Sequence, residues 1–110
     1  TVEAMAREYG TRPEELWAVI GPSIGACCYV VGPEVAAAFG TLLPELVVQV
    51  EGTHLDLVEA NRRVLRRAGV RAERIHAAGL CTSCRAGEFH SYRRDKDSAG
   101  RMLSAVGVRV

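Results

Sequence analysis

The chain has 110 residues, a formal net charge of +1, 48% apolar residues and 25% charged ones. That length suits one domain with a modest core, and the composition is that of a globular protein rather than a disordered one. No apolar run approaches the roughly 20 residues that cross a bilayer, and a near-neutral chain has no general basic field, so neither a membrane nor a nucleic acid is an expected partner.

Val2, Met5, Ala6 and Tyr9 fall at helical spacing, with Gly10 placed to close the helix in a left-handed conformation. No convincing cap precedes Val2, so the chain reads as starting inside a helix, as one partial domain (residues 1–110) of something longer. Thr11, Pro13 and Glu14 form a capping-box pattern for a short turn. The continuous apolar run Leu16 to Ile20 predicts a strand buried on both faces. Gly21-Pro22 and Gly32-Pro33 then bracket a stretch that turns again at Gly25 and presents Cys27, Cys28 and Tyr29.

Pro33 and Glu34 open a second helix that Gly40 is expected to end. Beyond Pro44, the residues Val47, Val48 and Val50 hint at a brief strand. Leu55 to Ala68 has the clearest helical pattern, with Leu57, Asn61, Val64, Leu65 and Ala68 on one face and Arg62, Arg63, Arg66 and Arg67 mostly on the other. An amide on that apolar stripe needs a bond to a neighbouring backbone, and the arginines read as a solvated face. Val70 to Leu80 predicts a strand leading to Cys81. Phe89 to Tyr92 and Met102 to Val110 alternate like strands, with a charged loop, Arg93 to Arg101, between them.

Among residues able to carry chemistry, Arg93, Arg94 and Arg101 form the best candidate for binding phosphate or carboxylate, against the alternative of a charged turn neutralised by Asp95 and Asp97. His54, His76 and His90 are too scattered for a histidine metal triad. Four cysteines allow disulfides, a metal site or reduced thiols. Cys81-Thr-Ser-Cys84 has CxxC spacing, but no second such pair accompanies it. With no secretory pattern in view, reduced thiols and a cytoplasmic location are the expectation. No phosphate-binding loop, dinucleotide fingerprint or nucleophile elbow is present.

Three segments taken together resemble the YfiH-like family in order and spacing: Ile20-Gly-Pro-Ser-Ile-Gly-Ala-Cys-Cys-Tyr-Val-Val-Gly32; Leu55-Asp-Leu-Val-Glu-Ala-Asn61 with Gly69; and Cys81-Thr82 followed by Phe89-His-Ser-Tyr-Arg-Arg-Asp95 and Gly100-Arg101. The family, first named polyphenol oxidase or laccase-like, is associated with zinc-dependent purine nucleoside phosphorolysis and adenosine deamination. The resemblance implies an α/β (α+β) fold of mixed β-sheets layered with helices. It also implies a nucleoside and phosphate pocket whose walls in this chain are Gly21, Ser23, Gly25, Cys28, Tyr29, Tyr92, Arg93 and Arg94. The family's metal site, two histidines and one cysteine, belongs to the half that precedes this chain; its His-Ala-Gly-Trp-Arg-Gly segment does not occur here. The resemblance therefore places neither a metal ligand nor a catalytic residue in this chain, which is expected to show no turnover alone and to depend on the N-terminal portion of its domain. Copper-dependent polyphenol oxidation is the alternative within the family. From other classes, the alternatives are a zinc-binding module built from Cys81, Cys84 and His90 with Cys27 or Cys28, and a partner-binding half-domain.

Overall fold

A computed structural model describes residues 1–43, 47–49 and 52–109, with side chains described outside 47–49. Its α/β architecture combines helices with a parallel pair of strands and an antiparallel triplet. Helix α1 (Val2–Tyr9) ends where expected, at Gly10 with φ 66°. Thr11 is not the cap of the short turn after it: the 3₁₀ turn Pro13–Glu15 is led by Arg12, which pairs with Glu14 and Glu15 at 3.1 and 3.2 Å.

Strand β1 (Ala18–Ile20) is shorter than the apolar run and is not buried on both faces, since Trp17 and Val19 are 67% and 77% exposed. Its partner, β5 (Ile75–Ala77), lies parallel in the register Ala18 to Ile75, Val19 to His76 and Ile20 to Ala77. The remaining strands form a second sheet in the order β2 (Val30–Val31), β4 (Thr53–Leu55) and β3 (Val47–Gln49), all antiparallel. The brief strand expected around Val47 and Val48 is therefore present, while Pro44 and Val50 lie outside the described residues.

Helix α2 (Pro33–Leu42) passes through Gly40 and stops at Leu43 instead. Helix α3 (Leu57–Arg67) starts at Asp56, whose carboxylate accepts from the Glu59 N–H at 2.9 Å and satisfies a donor that the first turn leaves unpaired. Replacing Asp56 with alanine should cost about 1 kcal/mol in a denaturant titration; an unchanged midpoint would show that the cap contributes nothing. Asn61 makes the backbone bond its pattern called for, but to Leu57 O of its own helix at 2.8 Å and from an exposed position. The arginine face is surface only in part: Arg66 and Arg67 are exposed, whereas Arg62 and Arg63 are half-buried and donate to Glu59 at 3.3 and 3.0 Å.

Two expected strands do not form. Phe89 closes a turn by donating its N–H to Arg85 O, and the next residues enter a short helix, α4 (Tyr92–Asp95), capped by Ser91. A 3₁₀ turn, Lys96–Ser98, occupies part of the expected charged loop. Residues 102–109 form no regular element, and Leu103, Val106 and Val108 are exposed; Val110 is outside the described residues. Alternation marks a strand only where a neighbouring edge exists to pair with it.

The core is small. Among the described residues, Leu43, Leu55, Ala60, Val70 and Ile75 are its buried apolar members, with Phe39 packed on Leu43 and Ala60. The radius of gyration is 15.9 Å, against about 13 Å for a compact domain of this length.

Candidate functional site

The parallel strands β1 and β5 run side by side and release their chains at the same end, the end at which open α/β sheets hold their ligands. The pairing continues past the strands: Ala78 N–H donates to Ile20 O at 2.9 Å, Ser23 N–H to Leu80 O at 3.3 Å and Thr82 N–H to Ser23 O at 3.0 Å. The glycine-rich loop after β1 is thereby laid against the Gly79 to Thr82 segment after β5. A cavity of about 270 Å³ opens there, lined by Gly21, Ser23, Gly25, Cys27 and Cys81, with Asp56, Glu59 and Arg62 of the α3 N-terminal region as its polar wall.

All four thiols meet in one cluster, of which Cys27 and Cys81 reach the cavity lining. The sulfurs of Cys27, Cys28, Cys81 and Cys84 lie within 4.8 Å of one another; Cys84 Sγ is 3.5 Å from Cys27 Sγ and 3.4 Å from Cys28 Sγ, and every cysteine is free. Gly25 makes the approach possible. Its N–H donates to Cys81 Sγ at 3.2 Å, and a side chain there would meet Cys27 Sγ at 3.2 Å and Cys81 Cβ at 3.3 Å. Burial disfavours the Cys81 thiolate, but the N–H groups of Gly25, Cys84 and Ser83 and the Cys27 thiol outweigh it and bring the group down to about 6. Around Cys84, the sulfurs of Cys28, Cys27 and Cys81 have the opposite effect and push it up to about 12. Crowded thiols resist joint ionisation unless a cation compensates them. Such a set of four sulfurs can hold a metal.

The expected pocket residues separate into groups. Gly21, Ser23 and Gly25 line the cavity, and Cys28 belongs to the thiol cluster. Tyr29 and Arg93 meet each other, with the guanidinium 5.0 Å from the ring centroid and donating to Val30 O at 2.7 Å. Tyr92 is exposed, with Lys96 over its ring at 5.9 Å. Arg94 is not available to an anion. It donates from Nε and Nη2 to Asp95 at 2.8 and 2.6 Å, from Nη1 to Thr82 O and Ser83 O at 2.8 and 3.0 Å, and from Nη2 to Phe89 O at 2.9 Å. That uses every N–H of the guanidinium, so Arg94 is a clamp on the CxxC turn.

The histidines stay apart. His54 donates from Nδ1 to Ala26 O at 2.6 Å, because a carbonyl can only accept, and so ties β4 to the glycine-rich loop. His76 stacks on Trp17 with centroids 5.5 Å apart. His90 accepts from Gly100 N–H at 3.2 Å and stands outside the sulfur group, so the zinc-module alternative is met in its cysteines, Cys81 and Cys84 with Cys27 and Cys28, but not in its histidine. A site of two histidines and one cysteine does not fit the described residues of this chain, nor does a copper centre needing several histidines.

A family model described as multi-copper polyphenol oxidoreductase laccase matches residues 1–109. The chain belongs to that family. Among members of this laccase family, the purine nucleoside phosphorylase YlmD of Bacillus subtilis is 36% identical over 113 residues, spanning 98% of this chain and 41% of the relative. Adenosine deaminase RL5, from an unknown prokaryotic organism, is 38% identical over 111 residues, covering 96% of this chain and 42% of the relative. The crystal structure of YlmD from Geobacillus stearothermophilus superposes with a TM-score of 0.81 at 35% identity, over 90% of this chain and 39% of that one. The chain thus spans about two fifths of the length of the relatives it matches. The resemblance read from residues 20–32, 55–69 and 81–101 identified this laccase family and its α/β fold correctly.

Proposed function

We infer that this chain is the C-terminal part of a purine nucleoside enzyme that cleaves nucleosides with phosphate or deaminates adenosine. The observation carrying this reading is a family match over nearly the whole chain to relatives named for those two reactions. The cavity at the ends of β1 and β5 supports it: Gly21 and Gly25 allow a flat base to approach the backbone, while Ser23 and the α3 carboxylates offer polar partners for its edge. Arg93, stacked on Tyr29, is the better candidate for phosphate, since Arg94 is consumed by its clamp. Zinc for the chemistry would come from the half of the domain that holds the two histidines and the cysteine; that half would also cover Trp17 and Val19, and a cytoplasmic location suits the reduced thiols.

The test offers adenosine and inorganic phosphate to the protein containing both halves. Adenine with ribose 1-phosphate, or inosine with ammonia, is the expected product pair, and the 110-residue chain alone should give neither. Absence of both pairs from the two-half protein, loaded with zinc, would remove the reading, and turnover by the short chain would remove the division of labour.

A further inference from the structure

The four cysteines are not explained by a nucleoside pocket. They come from two loops separated by more than fifty residues of sequence, yet all sulfurs lie within 4.8 Å of one another without a disulfide. Packing alone does not require this. Cys27 and Cys84 are exposed, so two of the four are not there to fill a core.

The spacing suits one metal ion. With a metal–sulfur bond of about 2.3 Å, a tetrahedral site has sulfur–sulfur edges of about 3.8 Å. Two of the three edges at Cys84 measure 3.5 and 3.4 Å, and every other edge of the set is within 4.8 Å, so shifts of about 1 Å or less bring the four sulfurs onto such a shell. An iron–sulfur cluster would hold its thiolates further apart. Soft tetrahedral sulfur ligation of a single divalent ion favours zinc.

The surroundings are also those of a metal-held thiolate. Cys81 and Cys84 sit at the ends of a CxxC turn, and Gly25 aims its N–H at Cys81 Sγ from the opposite loop at 3.2 Å. Arg94 fixes the intervening carbonyls of Thr82 and Ser83, which sets the pitch of that turn. Such outer contacts orient the ligands before the metal arrives.

We propose that Cys27, Cys28, Cys81 and Cys84 form a structural tetrathiolate site for a zinc-type divalent ion, stapling the glycine-rich loop after β1 to the CxxC turn after β5. Binding deprotonates the four thiols, releases the protons to solvent and leaves a complex of net charge −2 with no change of oxidation state. The site leaves no open coordination position for a substrate, so its role is to hold the wall of the neighbouring cavity in place. It is independent of the nucleoside reading, since it uses a different donor set from the two histidines and one cysteine that the family resemblance implies.

The test uses the protein containing both halves, purified under reducing conditions and reconstituted with Zn²⁺ or Co²⁺ alone. One equivalent of zinc should disappear in Cys84→Ser and again in Cys28→Ser, while any ion held by histidines stays. The cobalt form should show intense sulfur-to-metal charge transfer and tetrahedral visible bands that the serine variants lose. Should those variants fold poorly, wild-type protein answers separately: Zn²⁺ should slow the reaction of all four thiols with a disulfide reagent, and a chelator should restore it. Zinc content unaffected by Cys84→Ser, thiol reactivity indifferent to Zn²⁺, or a Cys28–Cys84 disulfide in the freshly reduced and reoxidised protein that forms equally fast with zinc present would each overturn the site.

Discussion

Truncating Leu55 to alanine is expected to lower the unfolding free energy by about 2–5 kcal/mol, the range for emptying a buried leucine site. Leu55 is 1% exposed and is the most completely buried large side chain among the described residues. Its backbone is equally committed, since its N–H donates to Tyr29 O at 3.1 Å and its strand is paired on both sides, with β2 and β3. The next residue, Asp56, caps α3, so the position joins the antiparallel sheet to the helix that walls the cavity. Urea titration of the variant beside the parent chain reads this as a lower midpoint at similar slope. A loss under about 1 kcal/mol would mean that Leu55 is not packed as described.

The elements visible in the sequence are those whose cause is local. Helix α1 and its glycine stop, α3 with its one-sided arginines, and the strand before Cys81 come from side-chain period and capping chemistry within a few residues. The failures have a common origin in the surroundings. Leu16 to Ile20 reads as doubly buried because apolar runs usually are, yet burial depends on what covers β1, and Trp17 and Val19 are left largely exposed in this chain. Residues 102–109 alternate, but no strand edge among the described residues receives them. At the site, glycine and proline mark the loop correctly, whereas the meeting of Cys27 and Cys28 with Cys81 and Cys84 depends on the parallel pairing of β1 with β5, which no local pattern encodes. The one available signal was the coexistence of an adjacent cysteine pair and a CxxC pair, each a few residues beyond an apolar strand. Arg94 shows the same limit, because a Tyr-Arg-Arg-Asp segment invites an anion-binding reading until the carbonyls of another turn are seen to occupy its donors.

Arg94→Ala is accordingly expected to destabilise the chain more than Arg85→Ala, although both remove one arginine paired to a nearby carboxylate. Arg85 pairs with Glu88, three residues on, at the surface, and exposed pairs of that kind contribute little. Arg94 instead satisfies the Thr82, Ser83 and Phe89 carbonyls, and its loss leaves them and Asp95 without those donors. Arg94→Lys should not rescue the loss, because a single ammonium cannot serve a planar fork of acceptors. The change should also reach the thiols, speeding modification of Cys81 and Cys84 as their turn loosens, an effect that Arg85→Ala lacks. The acid limb supplies a further signature. Hydrogen bonding from Arg94, together with its charge, holds the Asp95 carboxyl below its ordinary 3.8 despite opposing desolvation. A depressed folded-state value means that the contribution is complete above 3.8 and fades as pH falls through the lower folded value. Thermal unfolding of the parent chain should therefore weaken with acid across that window, and the gap between parent and Arg94→Ala should narrow there. A gap that stays constant down to the acid end would assign the destabilisation to the carbonyl bonds alone and remove Asp95 from the clamp.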